Sequence, residues 1–471
     1  MDPTNEERNE SGEGAAPGEN GNGGGRDRWK QGGDPRQHPA GLPSDTPVYQ
    51  VRQLGQMKVS ELQSIAKLEG VRHFWSTPRK QLVMEIIKQQ LRRGAQIECA
   101  GVLELTPDHH GYLRSEDNHL QPQSSDPFLP VQMVRQYRLY GGLDVTGVLR
   151  APRGGDRNLV VNQVYTVEGI NAEKVTERKS FESLTALFPT ERLFMEIVGL
   201  PGQDMTRRVI DIIAPFGKGQ RGIIVAPPRV GKTILMKQMV QSIETNHPEV
   251  EVIVLLIDER PEEVTDFREA VKRGRVISST FDENPQRHIQ VAATAISRAK
   301  VLVENGKHVV LFLDSITRLA RAYNSAAGNT GRLLSGGVDT AALQATKQFF
   351  GTARNIENGG SLTILGTALV HTGSRMDQVI FEEFKGTGNM ELYLDRDVAN
   401  QRIYPAVNIP LSGTRKDELL MKEEEYAIVS RIRKTLVGMI PTEAISRLIE
   451  QLRKYKTNAE FLMAVRTTLG L

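Results

Sequence analysis

The chain has 471 residues, which is enough for about two to four domains, and 39% of its residues are hydrophobic. Its formal net charge is only +3, so bulk charge gives no argument for a nucleic-acid partner. The single cysteine, Cys99, excludes a disulfide framework and a cysteine metal site, and it indicates a reducing, cytoplasmic compartment. No apolar run approaches the roughly 18 residues of a membrane helix, and no secretory signal is recognisable, so we expect no membrane partner.

The first 46 residues are predicted to form a disordered tail. No Val, Ile, Leu or Phe occurs before Leu42, so the segment cannot bury enough apolar surface to offset its conformational entropy. Trp29 and the basic residues around it leave open a weak contact with RNA, but the composition favours a solvated tail.

Four further regions follow along the chain, and they predict a multidomain protein. Residues 47–95 carry apolar residues at helical spacing and predict an N-terminal helical unit. Residues 96–165 contain short strands, at 97–105, 111–114, 145–149 and 158–162, between Gly, Pro and Asp turns, which predicts a small all-β barrel. Residues 166–200 form a connector. From 201 to 471, strand-like and helical runs alternate as in an α/β domain with a parallel sheet, and the last helices break at Pro441 and around Asn458.

A phosphate-binding loop is predicted between the apolar run 222–225 and a helical run from Ile234. A strand, a small-residue loop, Gly-Lys-Thr and a helix present backbone N–H groups and a helix N-terminus to phosphates. Lysine reaches the β- and γ-phosphates in such a loop, and threonine offers a hydroxyl to Mg²⁺. The predicted ATP-binding residues are Ala226, Pro227, Pro228, Arg229, Val230, Gly231, Lys232 and Thr233.

Two carboxylates follow hydrophobic strands and complete a nucleotide-hydrolysis pattern. Glu259 comes after the run 251–257, and we expect it to orient and deprotonate the attacking water. Asp314 comes after the run 309–313, and we expect it to hold Mg²⁺ directly or through water. The predicted cofactor is therefore Mg²⁺ with ATP, although the pattern does not say what hydrolysis drives.

Several longer motifs resemble one family. They are Asp258-Glu-Arg-Pro-Glu-Glu-Val-Thr265, Asp314-Ser-Ile-Thr-Arg-Leu-Ala-Arg-Ala-Tyr-Asn324, Gly336-Gly-Val-Asp339, Phe384-Lys-Gly-Thr-Gly-Asn-Met-Glu391 and Ser412-Gly-Thr-Arg-Lys416. Together they resemble the bacterial transcription terminator Rho over about residues 55–470. The resemblance implies an oligonucleotide-binding (OB) barrel followed by a RecA-like ATPase domain. It also implies a homohexameric, RNA-dependent ATPase and 5′→3′ RNA–DNA helicase that acts with transcribing RNA polymerase and its elongation factors.

The resemblance also assigns residues outside the phosphate loop. Arg415 resembles the arginine finger that each subunit gives to its neighbour's nucleotide, and Arg402 resembles a second interface arginine near the phosphates. Tyr404 matches the aromatic residue that stacks on adenine. Two loops that bind RNA in the central pore map to about residues 325–337 and 371–376, where Arg332 and Arg375 replace the usual lysines.

The barrel resembles the family's primary site for single-stranded, pyrimidine-rich RNA. The resemblance assigns base platforms and polar base contacts to His110, Tyr112, Arg114, Asp126, Phe128 and Asp156. His110 and Asn158 stand where the family usually has aromatic residues, and Asp156 replaces a glutamate. From the pattern alone, Tyr112 and Phe128 could equally be barrel core.

Two other functions remain open at this point. A rotary ATPase subunit would have the same RecA-like core but would not need RNA for hydrolysis. A passive RNA chaperone would use the barrel alone, and the intact phosphate loop with Glu259 and Asp314 argues against it.

Overall fold

The computed structural model describes residues 47–174, 178–200, 204–327 and 333–469. The tail predicted over residues 1–46 and the pore-loop residue Arg332 lie outside the described residues. Within the described ranges, no helix has the length and apolar character that a bilayer span requires.

A three-helix unit begins the described chain. Its helices are α1 (Val51–Gln56), α2 (Val59–Leu68) and α3 (Arg79–Arg92). Leu54, Leu62 and Ile86 are fully buried at their shared centre, and they join one core with the barrel that follows. The helical spacing in the sequence thus corresponds to an apolar face in the structure.

The second region is a six-stranded antiparallel sheet of order β3-β2-β1-β4-β5-β6. Its elements are β1 (Glu98–Leu105), β2 (Gly111–Arg114), β3 (Phe128–Leu129), α4 (Val131–Gln136), β4 (Asp144–Leu149), β5 (Val161–Val167) and β6 (Ile170–Asn171). A parallel bridge between Phe128 and Val160 brings the edge strand β3 back towards β5, which curls the sheet into a barrel. The strand expected at 158–162 lies later than predicted, because β5 begins only at Val161.

The connector is part of both neighbouring regions. β6 ends at Asn171, inside the range predicted for the connector, and the short strand β7 (Ala186–Leu187) pairs with a strand of the next sheet. The connector's other short strand, β8 (Arg192–Leu193), pairs with β9 (Phe216–Gly217). The connector therefore ties the barrel to the following domain through backbone hydrogen bonds.

The largest region is a nine-stranded sheet with helices on both faces. Its remaining strands are β10 (Arg221–Ala226), β11 (Val250–Glu259), β12 (Arg275–Thr280), β13 (His308–Asp314), β14 (Arg354–Ile356), β15 (Ser361–Leu369), β16 (Met390–Tyr393) and β17 (Gly413–Thr414). Seven strands follow the order β12-β11-β13-β15-β10-β16-β17, in which all pairs are parallel except that of the edge strand β17. The other two strands lie off this path, with β14 antiparallel to β15 and β7 antiparallel to β14. The expected parallel α/β sheet is confirmed, and its central strands are buried on both faces.

Helices connect these strands and close the domain. They are α5 (Met205–Ile213), α6 (Lys232–Asn246), α7 (Pro261–Ala270), α8 (Pro285–Glu304), α9 (Ile316–Ala327), α10 (Thr340–Gly351), α11 (Arg375–Phe384), α12 (Arg396–Asn400), α13 (Glu423–Leu436), α14 (Pro441–Leu452) and α15 (Asn458–Leu469). The last two begin at the two positions where the sequence predicted breaks. Proline occupies the first turn of α14, where its missing N–H leaves no helical bond unmade.

Candidate nucleotide and RNA sites

The phosphate loop joins the carboxyl end of β10 to the first turn of α6. Gly231, the N-cap of α6, has φ of 86°, a left-handed conformation that glycine adopts without strain. Within the loop, Ala226, Pro227 and Val230 are buried, whereas Pro228 and Arg229 are exposed. The loop therefore directs the N-terminus of a 15-residue helix towards the edge of the sheet where ligands bind.

Tyr404 lies over the same turn. Its ring is about 3.5 Å from the position that a Cβ atom on Gly231 would take, and the side chain is 53% exposed. A half-exposed aromatic ring beside a phosphate loop is placed to stack on a flat base. Arg402, two residues earlier, is exposed and has φ of 59°.

Both predicted carboxylates converge on Lys232 at the ends of neighbouring strands. Lys232 Nζ lies 2.5 Å from Asp314 Oδ1 and 3.6 Å from Glu259 Oε1. Glu259 is 2% exposed and Asp314 is 0% exposed. The structure thus brings the three catalytic residues predicted from separate sequence segments into one buried cluster.

Burial raises the pKa of Glu259 above its ordinary value, and the negative charge of Asp314 raises it further. Lys232 and Arg318 oppose this shift, since each places a cation 3.6 Å from Glu259 Oε1. A carboxylate whose pKa approaches neutrality is a better proton acceptor than an ordinary surface glutamate. The environment of Glu259 therefore suits a general base.

The two oxygens of Asp314 differ in their contacts. Oδ1 accepts hydrogen bonds from Lys232 and, at 2.7 Å, from the hydroxyl of Thr367. Oδ2 is buried and accepts no hydrogen bond from the described part of the chain. A buried carboxylate oxygen with no donor is unfavourable unless a cation or water completes it, so the residues fit a bound divalent ion.

Arg415 lies at the opposite end of the sheet from the phosphate loop of its own chain. Its N–H donates to the carbonyl of Asn389 at 2.9 Å, and Asn389 N–H in turn donates to the carbonyl of Arg221, the first residue of β10. The phosphate loop follows the other end of β10, about five residues or roughly 17 Å away at the rise of a β-strand. The exposed Arg415 side chain therefore begins at the far end of β10 from its own Lys232, and its Nη2 lies 3.6 Å from the position that a Cβ atom on Gly386 would take.

The two predicted pore loops contact each other. Gly336, with φ of 82°, packs so closely on the second loop that a Cβ atom there would lie 3.0 Å from the carbonyl oxygen of Arg375. Asp377 anchors the second loop, because it accepts two 2.7 Å hydrogen bonds from Arg321 of α9 and one of 2.6 Å from Thr372. The side chain of Arg375 is exposed on this clamped base.

The three aromatic residues among the predicted RNA contacts, His110, Tyr112 and Phe128, form a cluster on the outer face of the barrel. Tyr112 pairs with Phe128 across β2 and β3, and their rings lie 5.5 Å apart edge to face. The His110 ring is 5.2 Å from Phe128. Their strand neighbours Leu113 and Leu129 point the other way and are buried in the barrel. The alternative that Tyr112 and Phe128 are barrel core is therefore wrong.

Arg114 lies next to this cluster, and two carboxylates hold its buried guanidinium in place. Its guanidinium lies 4.6 Å from the centre of the Tyr112 ring and donates 2.6 Å hydrogen bonds to Glu104 and Asp126. These two bonds use Nε and one N–H of Nη1, so Arg114 keeps further donors for the acceptor edge of a base.

Asp156 and Asn158 lie on the segment before β5. The Asp156 carboxylate is bound by Arg150 at 2.7 Å, and this hydrogen bond lowers the pKa of Asp156. Asn158 is half-buried, next to Leu159, whose carbonyl accepts from Phe128 N–H at 2.7 Å. Position 158 therefore borders the aromatic cluster, whereas the Asp156 carboxylate is held by its local arginine.

Three residues with direct contacts to these sites were not predicted from the sequence. Arg318 stands four residues after Asp314, and it binds the carbonyl and carboxylate of Asp258. Arg318 lies in the first turn of α9, directly after the strand that ends at Asp314, and a basic residue so close to a strand-end carboxylate could have been proposed for the site. Thr367 and Glu104 are held to Asp314 and Arg114 by pairings that no local pattern encodes.

Both the barrel and the ATPase domain match models of known protein families. Residues 99–173 match the family model of the Rho termination factor RNA-binding domain. Residues 206–414 match that of the ATP synthase alpha/beta family nucleotide-binding domain. An ATP synthase subunit from Nanoarcheaum equitans shares the fold, with a TM-score of 0.51 and 16% identity over 62% of this chain and 79% of that one.

Full-length relatives are closer. Transcription termination factor Rho of Pseudomonas fluorescens biotype C is 47% identical over 414 residues, which cover 88% of this chain and 99% of that protein. The factor of the same name from Aquifex aeolicus (strain VF5) is 45% identical over 425 residues, 90% of this chain and 97% of that protein. This chain therefore belongs to the Rho family of transcription termination factors.

Proposed function

We propose that this protein is an RNA-stimulated ATPase that moves 5′→3′ along nascent RNA and terminates transcription. One observation carries the proposal: a buried phosphate-loop site and an outward aromatic platform with a held arginine occur in the same chain. Stacking on aromatic rings is how OB barrels bind single strands without a duplex. The ATPase then supplies the energy for movement.

Each catalytic residue has a role that its position supports. Lys232 neutralises the β- and γ-phosphates, Glu259 accepts the proton of the attacking water, and Tyr404 stacks on adenine. Arg415 acts on the nucleotide of the neighbouring subunit, because its side chain begins at the far end of β10 from its own loop. Arg402, exposed beside Tyr404, contacts the phosphates at the same interface. In a homohexameric ring, Arg415 and Arg402 would each have a nucleotide at a subunit interface to contact.

Mg²⁺ would be held by the Thr233 hydroxyl and by Asp314, whose Oδ2 has no other donor among the described residues. Among the described residues, no group of three or more His, Cys, Asp or Glu side chains is placed to hold a metal ion, so phosphate oxygens and water would complete the coordination. Bound with ATP, the ion neutralises charge on the phosphate oxygens.

RNA binds at two places in this proposal. The barrel captures pyrimidine-rich RNA through Tyr112, Phe128 and Arg114, with His110, Asp126 and Asp156 around them. Arg332 and Arg375 contact the RNA backbone in the pore of the ring. An enzyme that acts on nascent RNA works in the cytoplasm with RNA polymerase and its elongation factors.

ATPase assays with and without poly(C) test this function. We expect strong stimulation in the native protein and no hydrolysis in Lys232→Ala, because the phosphates lose their main cation. Hydrolysis that is fast and indifferent to RNA would favour a rotary-type ATPase subunit. RNA binding without hydrolysis would favour a passive chaperone.

A further inference from the structure

One carboxylate oxygen joins the barrel's arginine to the ATPase domain. Glu104 Oε2 accepts a 2.6 Å hydrogen bond from Arg114 Nε and a 2.5 Å hydrogen bond from Gln290 Nε2. Glu104 stands opposite Tyr112 in the β1–β2 register, so the two side chains lie beside each other on the same face of the sheet. Gln290 belongs to α8, which packs on the central strands of the ATPase sheet.

The first turn of α8 is also connected to Glu259, the last residue of β11, by way of β12. His288, one turn from the helix start, lies 2.8 Å from the buried Ser279 hydroxyl at the end of β12. Phe281 N–H donates to the carbonyl of Glu259 at 3.1 Å. Hydrogen bonds joined by two short stretches of backbone, 288–290 in α8 and 279–281 after β12, therefore lead from Arg114 to the backbone of Glu259.

Other contacts between the barrel and the ATPase domain bypass Arg114. Arg275 binds Glu116 at 2.9 Å, and Arg298 binds Glu168 at 2.5 Å. Gln121 donates to the Ser278 carbonyl at 3.2 Å. These contacts dock the two regions, but none of them shares an atom with the aromatic cluster.

We propose that Glu104 is a positioning residue that couples RNA occupancy of the barrel to the ATP site through Gln290. The inference rests on the proposed function, since it requires RNA to contact Arg114. A base that binds the remaining donors of Arg114 pulls on the guanidinium, and any resulting shift moves Glu104 or stretches its bond to Arg114 Nε. Loss of a donor is unfavourable for a half-buried carboxylate, whose side chain is 17% exposed, so Glu104 carries the shift to Gln290 and to the start of α8.

Coupling is measured as a change in affinity, which thermodynamic linkage makes the same in both directions. Full-length protein is titrated with a fluorescent oligo(dC), with and without Mg²⁺ and a non-hydrolysable ATP analogue, at one salt concentration because phosphate contacts make affinity salt-dependent. In the native protein we expect the two affinities to differ about 5-fold or more. In Gln290→Ala the ratio should fall to about 1, while oligo(dC) binding without nucleotide stays near native.

Two variants separate coupling from simple loosening of the domain contact. Glu116→Gln cuts the ion pair with Arg275 across the same boundary and should keep the native ratio. Gln290→Lys restores a donor to Glu104 and should recover coupling. A native ratio in Gln290→Ala, or a ratio near 1 in the native protein, overturns this inference alone. Failure of the native protein to bind oligo(dC) would instead remove the proposed function, and this inference with it.

Discussion

The ATP site and the RNA platform of the barrel are built in opposite ways. Glu259 and Asp314 are buried at strand ends and share one cation, Lys232. Tyr112 and Phe128 lie on an outer face, where each ring keeps solvent exposure. The first site is a closed electrostatic cluster and the second is an open surface.

This difference predicts how each site responds to damage. Removal of one charge from a buried cluster leaves its partners unpaired, so residues of the ATP site should behave as a unit. Removal of one ring from an open platform loses only that ring's stacking energy. Single substitutions in the ATP site should therefore abolish ATP hydrolysis, whereas single substitutions in the barrel should weaken RNA binding in steps.

Among changes outside the buried cluster, the largest effect should come from Arg415. Loss of an arginine finger costs about 10³-fold or more in rate, so Arg415→Ala should almost stop RNA-stimulated turnover. If the finger acts between subunits, rings that mix Arg415→Ala with Lys232→Ala subunits should regain activity, because some interfaces pair an intact loop with an intact finger. Verified mixed rings that stay inactive at every ratio would place Arg415 in another role.

Glu259 tests the buried cluster from within. Glu259→Gln should bind ATP normally yet lower turnover by about 10²–10⁴-fold, the usual contribution of a general base. In the native enzyme the base must be charged, and burial raises its pKa, so turnover should fall as pH drops through a value above the ordinary glutamate pKa of about 4.3. Rapid-quench rates across pH measure this, with the exposed Glu262→Gln as control. Near-native turnover in Glu259→Gln would exclude it as the base.

A smaller, graded effect is expected at Phe128. Its ring contacts both His110 and Tyr112, so Phe128→Ala should weaken oligo(dC) binding by about 1–3 kcal/mol, the value of one base–aromatic stack. Tyr165→Ala, which removes an exposed barrel aromatic on β5 outside the cluster, should bind like the native protein. Native affinity in a folded Phe128→Ala protein would mean that the cluster is not the primary RNA site.

The same contrast explains what the sequence could and could not predict. The carboxyl ends of parallel strands must meet at one edge, so a hydrophobic run followed by Glu259 or Asp314 was enough to place both carboxylates. In the barrel, alternation could not say which face of β2 looks outwards, and only the family resemblance favoured Tyr112 and Phe128 as RNA contacts. The strand expected at 158–162 began late because its first residues form the bridge that closes the barrel.

Contacts between distant segments were beyond any sequence pattern. Arg321 and Asp377 clamp the second pore loop from 56 positions apart, and Gln290 meets Glu104 across 186. Such pairs depend on how the domains dock, which spacing does not encode. Gly336 is a partial exception, since the family resemblance placed it in the first pore loop, although not in close packing on Arg375.

The smallest effect, and the one that would most sharpen the description of the open platform, is expected at Asn158. The residue borders the cluster beside Leu159, whose carbonyl holds Phe128, so a ring at 158 would extend the platform. Asn158→Tyr should therefore tighten oligo(dC) binding by about 1 kcal/mol, the low end for a stack, because an exposed ring gains less than an enclosed one.

Titration with short oligo(dC) and oligo(dA) at one salt concentration separates two causes of tighter binding. A gain for dC alone would mean that the new ring orders a base already read by Arg114, whereas an equal gain for dA would mean unselective stacking. Unchanged binding of both oligomers would show that position 158 faces away from the RNA and that the barrel's platform ends at Phe128, and weaker binding of both would show that a ring at 158 obstructs the platform.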